Sequence, residues 1–135
     1  MRDISELTVK EDVRYAKDHE WAKKEGNTVK VGISDYAQDQ LGDIVFVELP
    51  EIGAAFAKGE VFGTVESTKA VSELYMPIGG KVLAVNTELG NSPELVNKDP
   101  YGKGWMMEIA ADNLSELDSL MDKDDYLNML KGLKE

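Results

Sequence analysis

The sequence predicts a mainly β protein of the α+β kind, a sandwich with a short central helix and a helical segment at its C-terminus. Three observations predict it. Between residues 27 and 86, short runs rich in valine, isoleucine and aromatic residues follow one another, each bounded by glycine, proline or a polar turn. Among them lies one ten-residue stretch with helix-start and helix-stop residues in place. From Asn113 onward the pattern switches to apolar residues three and four apart.

Taken in order, NTVKVGIS alternates towards Gly32 and reads as a strand. SDYAQDQLGD follows as the short helix, with Ser34 as N-cap and Gly42 as its stop. DIVFVELPE is apolar enough for a buried strand halted by Pro50. GEVFGTVES, AVSELYMPI and GKVLAVN are three further strands, and Gly79-Gly80 after Pro77 suits a tight reversal between the last two. GEVFG from Gly59 and GKVLA from Gly80 match weakly as an internal repeat, with Lys69 between the copies on an exposed edge turn. DPYG, Asp99 to Gly102, carries proline second and glycine fourth, as a type I turn does. In the tail, Asn113 precedes Glu116 by three and Asp122 precedes Asp125 by three, two capping arrangements. Leu117, Leu120 and Met121 form one apolar face, and Tyr126, Met129, Leu130 and Leu133 another, so residues 113–133 read as two short helices packed on the sandwich.

Composition limits the function. A chain of 135 residues is the size of one domain, 1–135, and 42% hydrophobic residues exclude intrinsic disorder. A net charge of -11 repels nucleic acid and anionic membranes, leaving either solubility or docking to basic protein surfaces as its use. The absence of cysteine excludes disulfides, thiolate metal sites and cysteine nucleophiles, so any redox chemistry must be borrowed. The N-terminus MRDISELTVKED has no apolar leader segment and is too acidic for a transit peptide; a cytoplasmic monomer is the expectation. His19, the single histidine, lacks zinc-binding company, and no nucleophile elbow supports a hydrolase. Lys69, inside the run VESTKAVSELYMPIGGKVLAVN, is then either a solvated charge or a handle.

DHEW (Asp18 to Trp21), GDIVFVELPE, VESTKAVSELYMPI, VNKDPYGKGWM and the acidic tail together resemble the H protein family of the glycine cleavage system, over nearly the whole chain. The most specific element is the Glu-Ser-x-Lys-Ala segment of Glu66, Ser67, Lys69 and Ala70, whose lysine carries lipoate in that family. The resemblance implies a barrel-sandwich hybrid of the lipoyl/biotinyl type and a non-enzymatic carrier with lipoate covalently on Lys69. It further implies that Glu66, Ser67 and Ala70 form the turn read by a lipoylating enzyme. The implied partners are glycine decarboxylase (P protein), aminomethyltransferase (T protein) and dihydrolipoamide dehydrogenase (L protein). Glu20 and Glu73 match the carboxylates that hold the aminomethyl cargo. Gln40 stands where some members have a histidine, so that histidine's role does not carry over. Biotin carriers flank their lysine with methionines, and lipoyl domains of oxoacid dehydrogenases place Asp before it; this chain has Thr68 there. An H-like relay that donates lipoyl groups to other complexes keeps every one of these residues and stays open as the alternative.

Overall fold

The computed structural model describes residues 3–134; Met1, Arg2 and Glu135 of the 1–135 unit lie outside the described residues. Among the described residues, nine strands form two sheets. β1 (Arg14–Tyr15), β2 (Glu20–Glu25), β3 (Thr28–Ile33), β5 (Ala55–Phe56), β8 (Gly80–Val85) and β9 (Met107–Ala111) make a six-stranded sheet in the order β1-β2-β3-β9-β8-β5. β4 (Ile44–Glu48), β6 (Val61–Ser67) and β7 (Val71–Tyr75) make a three-stranded sheet with β6 in the centre. All recorded pairings are antiparallel. Ala22, Val29, Val31, Val82 and Ile109 of the larger sheet meet Val47, Phe62, Val65 and Leu74 of the smaller one in a shared buried core, which makes this a sandwich.

The helix read at the centre is α1 (Asp35–Leu41), and its caps are the expected ones: Ser34 Oγ accepts from the Ala37 N–H, and Gly42 takes φ +80°. α2 (Leu95–Lys98) is one turn long, and Asp99–Gly102 closes with a Gly102 N–H to Asp99 carbonyl bond, as DPYG requires. The tail is a 3-10 helix, Leu114–Ser119, followed by α3 (Lys123–Lys134). Asp122 caps α3 by accepting from the Asp125 N–H, whereas Glu116 turns away from its own cap and accepts from the Gly79 N–H. Tyr126 and Leu130 of α3 complete a second cluster with Val13, Tyr15 and Trp21 on the opposite side of the larger sheet; Leu133, expected on that face, is exposed.

Two further expectations are corrected. β4 is not a buried strand: only Ile44 and Val47 face the core, while Val45 and Phe46 are half exposed on the outer face. Gly79-Gly80 does not make a tight reversal, because β7 and β8 belong to different sheets and Met76–Gly79 crosses between them. Gly80 is required instead by close approach, since a Cβ there would lie 2.7 Å from the Ala110 carbonyl oxygen. The weak repeat has a structural counterpart. Register breaks occur between Val61 and Gly63 and between Val82 and Ala84, the same place in both copies.

Candidate functional site

Lys69 is the middle residue of the three-residue connection (68–70) of the β6–β7 hairpin and is exposed. Such connections usually demand a left-handed residue, hence glycine or asparagine. None of Thr68, Lys69 and Ala70 is left-handed here; Ser67 does the work instead. Its N–H donates to the Ala70 carbonyl at 2.8 Å, and its Oγ accepts from the N–H groups of Lys69 (3.2 Å) and Ala70 (3.1 Å). The Thr68 N–H donates to the Asp43 carbonyl, tying the tip to the end of α1. The expected turn residues therefore have distinct places: Ser67 and Ala70 build the turn, while Glu66 lies one rung below, between Phe46 and Val71.

The Lys69 side chain runs over Gly42. A Cβ at Gly42 would lie 3.1 Å from Lys69 Cε, so the glycine that stops α1 also clears the path of the lysine. Asn97 holds this corner in place. Its Oδ1 accepts from the Ile44 N–H, and its Nδ2 donates to the Gly42 carbonyl and to Gln38 Oε1. Gln40, in the last turn of α1, is half-buried.

β7 leads from this turn to Tyr75, where the two candidate carboxylates meet its opposite ends. Glu20, the first residue of β2, is 2% exposed and lies at the border of the sandwich core. Its Oε2 accepts from the Tyr75 N–H at 3.2 Å, and its Oε1 has no hydrogen-bond partner among the described residues. Burial pushes its pKa up to about 8, only partly offset by the Tyr75 N–H and raised a little further by Asp18. Glu73 is exposed and accepts from the Tyr75 hydroxyl at 3.3 Å; its carboxylate raises the pKa of that phenol. Glu20 and Glu73 thus flank one tyrosine, one buried and one at the surface.

Glu20 is delivered by an unusual turn. His19 is the one non-glycine residue with positive φ (77°) among those described, a conformation costing an L-residue roughly 1–2 kcal/mol. Its carbonyl accepts from the Ser34 N–H, and its Nδ1 is 2.8 Å from the Tyr126 hydroxyl. Sequence reasoning read Tyr126 as core and assigned His19 no role. The available signal was a histidine where a turn calls for glycine or asparagine, legible only once the turn is known.

On the outer face of the smaller sheet, Phe46, Glu66 and Val71 share a rung, with Glu48, Thr64 and Glu73 on the next. The hairpin tip is therefore flanked by exposed Val45, Phe46 and Val71, interspersed with carboxylates.

A two-sheet sandwich that displays one lysine at a braced hairpin tip defines a class, the lipoyl-type carrier domains. The chain matches the family Glycine cleavage H-protein over residues 13–133. It is 54% identical over 124 residues to the glycine cleavage system H protein of Anoxybacillus flavithermus, covering 92% of this chain and 98% of that one. With the H protein of Symbiobacterium thermophilum the identity is 56% over 115 residues, covering 85% and 90%. The crystal structure of a glycine cleavage system H protein from Mycobacterium marinum superposes with a TM-score of 0.84 at 36% identity, covering 91% of this chain and 99% of that chain. This chain belongs to the glycine cleavage H-protein family.

Proposed function

We infer that the chain is the lipoyl carrier of the glycine cleavage system, shuttling the aminomethyl group of glycine from the decarboxylase to the aminomethyltransferase. It then returns the reduced arm to dihydrolipoamide dehydrogenase. The observation that carries this reading is the exposed lysine on a turn braced by Ser67, Asp43 and Gly42. A tip fixed in this way gives a lipoylating enzyme a constant shape to read and costs it little ordering entropy. Lipoate on Lys69 supplies the dithiolane that no residue of this cysteine-free chain can supply.

The chain's own residues supply positioning and protection. Lys69 leaves the turn over Gly42, so the root of the arm has one direction of departure. Glu20 offers an unpaired carboxyl oxygen in a desolvated niche. A cation placed there relieves the burial cost of ionised Glu20, and by the same coupling the cargo ammonium is favoured over its reactive neutral amine. Glu73 adds negative charge at the surface, on the hydroxyl end of Tyr75. The apolar Val45, Phe46 and Val71 beside the tip are the surface a partner covers when the arm enters its active site, and the carboxylates among them favour a basic rim.

The test is to lipoylate the chain, load it from labelled glycine with the decarboxylase, remove that enzyme and follow formaldehyde release. Glu20→Gln should be lipoylated normally and lose label faster. Equal lifetimes would remove Glu20 from the reading, and failure of the wild type to load would remove the carrier role.

A further inference from the structure

We propose that Tyr126 and His19 are positioning residues for Glu20: the C-terminal helix, through the Tyr126 hydroxyl, locks the left-handed turn that aims Glu20 into the sandwich. This rests on the reading of Glu20 as the cargo-holding carboxylate for its function, though not for its geometry.

The chain Ala16-Lys17-Asp18-His19 reverses direction between β1 and β2, with the His19 N–H donating to the Ala16 carbonyl and the Ala16 N–H to the Glu20 carbonyl. His19 must be left-handed for Glu20 to start β2 opposite Ile33 with its side chain on the core side. A histidine does not choose that conformation unaided, so surrounding contacts must hold it. Three do. The Ser34 N–H fixes its carbonyl at 2.9 Å, the Tyr36 ring lies 4.8 Å from its own, and the Tyr126 hydroxyl meets its Nδ1. The same hydroxyl is 2.7 Å from Ser34 Oγ, which caps α1. Tyr126 is itself immobilised, fully buried and stacked on Tyr15 at 4.1 Å with the rings parallel. One phenol on α3 therefore joins the start of α1 to the residue preceding Glu20. Relaxation of His19 towards an ordinary conformation would rotate the start of β2 and loosen the bond between Glu20 and the Tyr75 N–H.

Tyr126→Phe tests this cleanly, because it keeps the ring stacked on Tyr15 and removes the hydroxyl alone. His19→Gly is the companion, a residue at ease with the backbone angle but without the ring. The first readout is the titration of the Glu20 carboxyl by carbon NMR in the unlipoylated chain. Asp18, Tyr75 and Tyr126 are the ionisable groups that bear on it; Tyr126→Phe removes the last of these, and His19→Gly removes only the adjacent imidazole. Its midpoint should fall in both variants towards the usual carboxylate range as water reaches the loosened niche. The second readout is formaldehyde release from the loaded arm, which should quicken about two- to tenfold, the effect of one neutral hydrogen bond, with the lipoylation rate unchanged. A merely structural role predicts a lower melting temperature with the midpoint unmoved. An unmoved midpoint in both folded variants overturns the proposal whatever the release rates. If the midpoint moves while Glu20→Gln itself leaves release unchanged, the positioning stands and the cargo-holding reading of Glu20 fails.

Discussion

Replacing Glu20 by Gln should make this protein more stable in alkali and leave it almost unchanged in acid. On folding, the Glu20 carboxyl goes from the ordinary value of 4.5 to about 8 because burial disfavours its charge. Between those values the folded state binds more protons than the unfolded one, so stability falls as pH rises through the window. The contribution is intact below pH 4.5 and fully lost above about pH 8. At about 1.36 kcal/mol per tenfold, the ceiling on the loss is roughly 5 kcal/mol, and relaxation with water entry brings the expected value to roughly 2–5 kcal/mol. Glutamine occupies the same volume, still accepts from the Tyr75 N–H, and has no charge to desolvate. The quantity to measure is variant minus wild type in urea unfolding from pH 4 to 9, since the difference cancels the titration of the other acidic groups. It should be within about 1 kcal/mol of zero at the acid end and rise to a midpoint gain on the order of 1 M urea at the alkaline end. A flat difference would mean that Glu20 is not desolvated, and the argument for a cation-seeking niche would fall with it.

Gly42→Ala should cost roughly 1–3 kcal/mol for its left-handed backbone and slow lipoylation, because its Cβ falls 3.1 Å from Lys69 Cε; urea unfolding and a modification time course measure the two effects separately. Wild-type lipoylation in that variant would disconnect Gly42 from the path of the arm. Asn97→Ala, which leaves Ile44 N–H and Gly42 carbonyl without their partner, should lose about 1–3 kcal/mol by the same unfolding assay. Association with the decarboxylase should be faster at low salt, as expected for a chain of net charge -11, with the excess fading as the Debye length shortens to about 8 Å at physiological ionic strength. A salt-independent rate would assign the acidity to solubility.

The strands with β-branched runs and the cap residues of α1 were legible because local chemistry and final structure agree there. β9 and β2 were not. MEIAA and EWAKKE have weak strand propensity, and they are strands because β2 is paired along its length to β3 while β9 is held between β3 and β8. DIVFVELPE misled in the opposite sense, since apolar Val45 and Phe46 face outward on a small sheet whose outer surface is left exposed at Val45, Phe46 and Val71. At the site, Lys69 and its turn were readable as a contiguous motif. Glu20 was reachable only by resemblance, for what distinguishes it is a buried carboxyl oxygen without a partner and a bond to the Tyr75 N–H 55 residues away in sequence. The Gly42, Asn97, His19 and Tyr126 contributions are long-range contacts that no local pattern encodes.

The central claim is that Lys69 is the single attachment point of the lipoyl arm. Wild type and Lys69→Arg should be incubated with a lipoylating enzyme and followed by intact mass and peptide mapping. Arginine keeps the charge and the exposed position but forms no such amide. The account predicts one lipoyl group per wild-type chain, on the peptide containing Lys69, and none on the variant. No addition to the wild type, or an addition that persists in Lys69→Arg on another lysine, would contradict it.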